Sequence, residues 1–260
     1  MPKNSVAKTA KKADQYNDPK HNYRDYWHGR DYEHRAEELA IKRLLKGRHF
    51  KTAVDVGGGY GRLDPMLTEF ADHVTLTEPS QQQLDMAKDF LKNYPYVQFK
   101  LGQADDLDFK TGSVDLVTLI RVIHHLPDPK VEFGEIARVL SPDGLAIIEV
   151  ANYMHFRNRI KHVVKRQKFA AEPVDIRSPE HRNDSEIAFV NHNPKTVIKH
   201  LSAAGLKVER ILSVSNLRSP GLKKLVPTAV MLTIEGLLQP TLAKTFFGPS
   251  IFFLVRKAAK

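Results

Sequence analysis

Between residues 36 and 151 the chain alternates short apolar segments with stretches of helical spacing. This rhythm limits the open folds more than any other feature of the sequence. TAVDVG (52–57), HVTLTE (73–78), VQFKLG (97–102), a run within SVDLVTLIRVI (113–123) and GLAIIEVAN (144–152) read as strands. DYEHRAEELAIKRLLKG has apolar residues at 36, 39, 40, 41, 44 and 45, a helical spacing with Gly47 as its stop. Three further segments predict helices between the strands. They are GRLDPMLTEFA (61–71), PSQQQLDMAKDFLKNY with Ser80 as N-cap, and KVEFGEIARVL stopped by SPDG. Strands separated by helices of this length predict an α/β fold with a doubly wound sheet, parallel at least in its first half.

The rhythm changes after residue 151. YMHFRNRIKHVVKRQKF (153–169) predicts a basic amphipathic helix with Phe156, Ile160, Val163 and Val164 on one stripe. A polar stretch at 171–186 leads to NPKTVIKHLSAAGLKVERILSVS, a helix, a turn at Gly205 and a strand. LVPTAVMLTIEGLLQ predicts an apolar helix and PSIFFLVRK a closing strand. The expected organisation is a disordered basic tail over 1–20 and one domain over 21–260. Segments 152–190 and 217–245 are its substrate-side elaborations.

Charge and composition narrow the function. Net charge is +10, and ten bases fall in two acid-free stretches, Lys3 to Lys12 and Arg157 to Lys168. Removing those ten from the 40 bases leaves 30 against 30 acids, so the rest of the chain is balanced. The chain has no cysteine, which excludes disulfides, thiolate metal sites and cysteine nucleophiles and fits a cytoplasmic location. No run of 18 apolar residues suggests a membrane span, and the basic N-terminus lacks the apolar core of a secretory signal.

VDVGGGYGRL (54–63) carries the chemistry. A phosphate-cradling P-loop needs Lys followed by Ser or Thr after its last glycine, and Arg62 and Leu63 stand there. A dinucleotide fingerprint counted from Gly57 and Gly59 needs glycine at 62, so Arg62 weakens an NAD(P)-dependent oxidoreductase reading. The pattern that remains is Asp55, Gly57, Gly59 and Gly61, with Gly58 as an extra glycine. Downstream, Glu78 ends the second strand 23 residues after Asp55, LGQADDLDF follows the third strand, and SVDLVTLIRVIHHLPDP spans the fourth.

In these segments the chain resembles the class I S-adenosylmethionine-dependent methyltransferases, particularly their small-molecule group. The resemblance covers roughly residues 30 to 150, with a weaker echo at 190–215 and in the last strand. It implies a Rossmann-like, mostly parallel seven-stranded sheet with helices on both faces and an antiparallel last strand. It implies S-adenosyl-L-methionine as cofactor, a ligand with a methionine carboxylate and an ammonium but no phosphate. Asp55 would meet the ammonium, and Gly57, Gly58, Gly59 and Gly61 would let the backbone lie against the ligand near a helix N-terminus. Glu78 would take the ribose hydroxyls, and Pro79 would pack on the adenine. Gln103, Ala104 and Asp105 match the segment that meets the adenine amino group. Gln103 stands where the family often has aspartate. Arg121 and Val122 fall where the chain passes the sulfonium.

His124 and His125, just past the fourth strand, are candidate catalytic bases, with a structural role in the loop as the alternative. His155 and His192 are further candidates. Tyr23, Tyr26, Trp27 and Tyr32 precede the first helix, where the family often lays a lid. No metal site is expected, because adjacent His124 and His125 would point apart in an extended segment. The preferred acceptor is a small molecule, lipophilic or anionic in character. RNA, held by the basic segments, ranks below it because no interleaved aromatics accompany them. Contact of the basic helix with an anionic membrane surface is a third reading. IRVIHHL does not match the Asn/Asp-Pro-Pro-aromatic motif of amino-methylating DNA enzymes. A cofactor-binding protein without catalysis would keep the same loops.

Overall fold

A computed structural model of the chain describes residues 16–18, 22–178, 182 and 187–258. Seven strands form one sheet: β1 (Phe50–Val56), β2 (Ala71–Glu78), β3 (Val97–Leu101), β4 (Val114–Leu119), β5 (Leu140–Ala151), β8 (Leu206–Val214) and β9 (Ser250–Lys257). Their order is β3-β2-β1-β4-β5-β9-β8. β1 pairs in parallel with β2 and β4, and β9 runs antiparallel to both β5 and β8. The expected doubly wound, mostly parallel sheet with an antiparallel last strand is therefore present. A small ribbon pairs β6 (Val174–Asp175) with β7 (Val190–Asn191).

Alternate residues of the central strands feed two separate cores. In β9, Phe252 and Leu254 join one face, while Ile251, Phe253 and Val255 join the other. The first core is covered by α1 (Asp31–Leu45), α2 (Asp64–Leu67), α3 (Gln81–Phe90) and α8 (Thr228–Thr241). The second is covered by α4 (Lys130–Val139) and α6 (Pro194–Ala203). Gly47 and Gly205 take φ of +75° and +77° after α1 and α6, the left-handed turn that glycine adopts without a Cβ penalty. Ser80 caps α3 as expected, its hydroxyl accepting the Gln83 N–H.

Several sequence expectations need correction. The helix predicted over 61–71 shrinks to α2, because the Phe70 carbonyl accepts the Phe50 N–H and extended pairing begins there. SPDG does not separate α4 from the fifth strand. It lies inside β5 as a bulge, across which the register with β4 shifts, and Ser141 Oγ donates to Asp115 Oδ1 at 3.1 Å. The basic helix is shorter than 153–169: α5 covers Phe156–Val164, and Arg166 beyond it takes φ +51°. The far end of its apolar stripe is open to solvent, with Val163 and Val164 each 77% exposed. Within the expected elaboration 217–245, α8 packs on α1. Tyr32 donates to Glu235 Oε2 at 2.7 Å, and Gln239 Nε2 donates to the Ala36 carbonyl at 2.9 Å. That bond places Tyr32 in the core instead of in a lid.

The boundary of the basic tail also moves. Ser80 Oγ donates to the Tyr16 carbonyl at 2.8 Å and Gln82 Nε2 to the Asp18 carbonyl at 3.0 Å, so residues 16–18 are strapped to α3. The remainder of the expected tail, residues 1–15 and 19–20, lies outside the described residues. Among the described residues no helix is long and apolar enough to cross a membrane. α7 (Pro220–Leu225) completes the elements that border the site.

Candidate functional site

Strand order reverses between β1 and β4, since β2 and β3 lie to one side and β5 to the other. In such sheets ligands bind outside the strands' carboxyl ends at this point. The glycine loop leaves β1 there, and Ile120–Val122 leaves β4 beside it. A cavity of about 240 Å³ opens between them. Asp55, Gly57, Gly58, Gly59, Glu78, Pro79, Gln103, Ala104, Asp105, Arg121 and Val122 all line it. These are the residues expected at the cofactor, except Gly61.

The glycines divide into two kinds. Gly57 takes φ +68°, and a Cβ there would lie 2.6 Å from Val122 Cγ2, so the loop is held close to the β4 end. Gly61 serves packing instead, because its Cβ would lie 2.4 Å from Leu91 Cδ1. Gly58, which the motif does not require, sits where a Cβ would meet Asp55 Oδ2 at 2.7 Å and Leu76 Cγ at 2.8 Å. The expected helix N-terminus beyond the loop is only the four-residue α2, too short to supply a substantial dipole.

Carboxylates take over the loop's ordering. Glu78 accepts the Gly59 N–H at 3.0 Å and the Ser80 N–H at 3.1 Å, tying the loop to the start of α3. Asp55 is buried and accepts from Thr118 Oγ1 at 2.5 Å. Burial pushes its carboxyl up to about 6, against the Thr118 hydrogen bond and the charge of Arg62. Beneath it Asp64 is fully buried with no donor in reach of either oxygen. Two carboxylates cannot hydrogen-bond each other. Burial and the Asp55 charge raise the Asp64 carboxyl well above the usual range.

Arg62 reads in the sequence only as an exclusion, yet it is central to the site. Glu37 of α1, fully buried, accepts from Arg62 Nη2 and from Arg121 Nε and Nη2, the last two at 2.8 and 2.5 Å. Burial alone would raise Glu37, but the two guanidinium groups outweigh it and hold the carboxyl below its usual range. Trp27 lies against this triad, with Arg62 Cζ 3.7 Å and Arg121 Cζ 5.7 Å from its ring centre. Arg121 pays in backbone strain, with φ +62°, and its N–H reaches Glu149 Oε2 at 3.2 Å.

The two candidate bases face different spaces. His125 lines the first cavity, but both ring nitrogens are engaged. Nδ1 donates to the Ala188 carbonyl at 2.9 Å, and Nε2 pairs with Tyr16 Oη at 2.8 Å. That contact draws Tyr16, which the sequence assigned to a loose tail, into the cavity wall. His124 instead lines a second, larger cavity of about 970 Å³, and Arg121 lines both. Burial and the neighbouring His125, Arg121 and His192 hold the His124 imidazole well below its usual range, so it is neutral at pH 7. His155 borders the second cavity. His192 is buried with Nε2 donating to the Ile123 carbonyl at 2.8 Å, a structural role.

Of the expected lid, Tyr23 lines the first cavity and Tyr26 the second, while Trp27 caps the arginines. Glu132 also lines the first cavity, near Asp105, with Oε2 buried and unpartnered. Burial raises its carboxyl. Sequence reasoning passed over it because its helical position is the same as that of any solvated acid in a first turn.

Residues 54–148 match the family model described as "Methyltransferase domain". The chain is 31% identical over 101 residues to methyltransferase nsrG of Aspergillus novofumigatus, covering 38% of this chain and 39% of the relative. It is 29% identical over 124 residues to a ubiquinone biosynthesis O-methyltransferase of Xanthomonas oryzae, covering 47% and 48%. The chain thus spans about half, or less, of the length of these curated relatives. A solved S-adenosylmethionine-dependent methyltransferase from Thermotoga maritima has the same fold, with TM-score 0.64 and 18% identity over 90% of this chain and 94% of that one. Residues 54–148 thus form a methyltransferase domain, set in the fold of solved S-adenosylmethionine-dependent methyltransferases.

Proposed function

We propose that the protein binds S-adenosyl-L-methionine in the first cavity and transfers its methyl group to a small-molecule acceptor. The observation that carries this reading is the convergence of Asp55, Glu78, the glycine loop and the Gln103–Asp105 segment on one cavity at the sheet's reversal point. The residues present suit the ligand's chemistry. The Asp55 carboxylate would hold the ammonium, and the Glu78 carboxylate at the end of β2 would accept the ribose hydroxyls. Asp105 and the unpartnered Glu132 offer acceptors for an exocyclic amine. When bound, the cofactor supplies an electrophilic methyl group on a sulfonium.

The protein's part is to position and to exclude water. Tyr16 and Tyr23 close one side of the first cavity, and His125 holds Tyr16 there as a positioning residue. His124 presents a neutral imidazole to the second cavity, where it would accept the proton the acceptor loses. His124→Gln is expected to lower kcat by about 100-fold with KM and cofactor affinity held. An unchanged kcat and pH profile would return His124 to a structural role.

Calorimetry with S-adenosylhomocysteine tests the cofactor assignment. Micromolar binding at pH 7.5, with none for NADH, is the expected result, and the reverse preference overturns the reading. The same titration at pH 5 should be about tenfold weaker. Below about 6 the Asp55 carboxyl takes a proton and loses the charge that attracts the ammonium. An affinity independent of pH between these values would remove Asp55 from the contact.

A further inference from the structure

The second cavity lies across Arg121 from the first, at the carboxyl ends of β4 and β5. We propose that it receives the methyl acceptor, and that the acceptor carries an anionic group, carboxylate or phosphate, on an apolar body. This rests on the methyltransferase reading above and adds a substrate class to it.

The argument begins with unequal charge. The cavity's cations are Arg30, Arg121, Arg157, Arg218 and Lys223, and its carboxylates are Glu33 and Glu149. Lys223 Nζ takes both Glu33 oxygens, at 2.9 and 3.0 Å. Glu149 is buried between the Ser250 hydroxyl and the Arg121 N–H, and its carboxyl is raised by that burial. Arg121 itself is spent on Glu37. Arg218 reaches no closer than 3.6 Å to a Glu33 oxygen that Lys223 already holds. Arg30 rests on the Tyr26 ring at 3.9 Å, and among the described residues no carboxylate pairs with it. Arg218 is therefore a partly buried guanidinium beside Arg121 and Arg30, and burial followed by their repulsion lowers its pKa. Like charges gathered this way are costly until an anion joins them. The guanidinium fork matches carboxylate and phosphate oxygens.

A second observation points the same way. Ser215 is buried, lines the cavity, takes φ +61°, and its hydroxyl has no partner. Its carbonyl accepts the Arg218 N–H at 3.1 Å, so the unpartnered hydroxyl and a guanidinium that only shares Glu33 with Lys223 belong to one turn. A buried hydroxyl without a partner, held in a strained conformation, marks a place where a ligand completes the hydrogen bonding. Apolar side chains also line the cavity: Phe156 stacks on Phe247 with centroids 4.8 Å apart, and Phe189 and Leu222 are part of the lining. An acceptor with its anion on the Ser215–Arg218 turn and its body on the phenylalanines would present its reacting atom toward Arg121 and His124.

The test titrates 1-naphthoate, 1-naphthyl phosphate and neutral 1-naphthamide into the full chain saturated with S-adenosylhomocysteine. At least one anion should bind about tenfold or more tightly than the amide, and the better one identifies the group. Arg218→Gln should abolish that preference while S-adenosylhomocysteine affinity, the control for folding, stays unchanged. Equal binding of amide and anions, or an unchanged preference in Arg218→Gln, overturns the proposal. So does an RNA oligonucleotide that displaces the naphthyl ligands with a steep salt dependence. If S-adenosylhomocysteine itself fails to bind the wild-type chain, the cofactor reading falls instead, and the naphthyl titrations without it still judge the anion preference.

Discussion

Glu37→Gln is expected to remove about 3–5 kcal/mol of folding stability, a large part of the roughly 5–15 kcal/mol a domain has. The reason is asymmetry. Glu37 is fully buried and accepts from both Arg62 and Arg121, whose side chains are only 9% and 18% exposed. Glutamine keeps the shape but leaves two guanidinium groups facing each other without a counter-charge. Urea unfolding should show a lower midpoint with an unchanged slope. The difference from wild type should also depend on pH with a defined sign. Glu37 titrates below its usual range when folded, so its contribution is complete above the unfolded value of 4.5 and fades as pH falls through the folded one. A loss under about 1 kcal/mol would mean that the triad is bridged by solvent and does not brace the loop.

Glu78→Ala should weaken S-adenosylhomocysteine binding by about 100-fold or more. One carboxylate there has two tasks. It receives the Gly59 and Ser80 N–H groups, and in the proposed complex it also receives the ribose hydroxyls. Alanine leaves two buried N–H groups unpaired and loosens the loop, so binding suffers twice. Glu78→Gln keeps one acceptor oxygen and should fall between, at about tenfold. Calorimetry separates the two variants, and an affinity unchanged in both would show that the ribose lies elsewhere.

What could be read from the chain was what local spacing determines. The strands of the first half, the Ser80 cap and the turns at Gly47 and Gly205 follow from neighbours a few residues apart. The cofactor-side residues were legible because they fall at the ends of consecutive strands, which a doubly wound sheet must bring to one edge. Contacts made across the fold were not. Glu37 meets Arg121 over 84 residues and Tyr16 meets His125 over 109, distances at which periodicity carries no information. One signal was available: Glu33 and Glu37 share the helical face of Ala36, Ala40 and Leu44. Acids on a buried face require cations from elsewhere. The length of α2 was missed for the opposite reason, since a helical pattern gave way to strand pairing at Phe70.

The position of β9 has a consequence for how the chain is made. It lies between β5 and β8, hydrogen-bonded to both, yet it is translated after either. From the end of β8 at Val214 to the start of β9 at Ser250, ribosomes moving at about 5–20 residues per second need roughly 2–7 s. During that interval β5 exposes an unpaired apolar edge and β8 has no place in the sheet. Folding on the ribosome must therefore pass through a half-sheet, β3-β2-β1-β4-β5, with one sticky margin, and this is the state in which chaperones have most to offer.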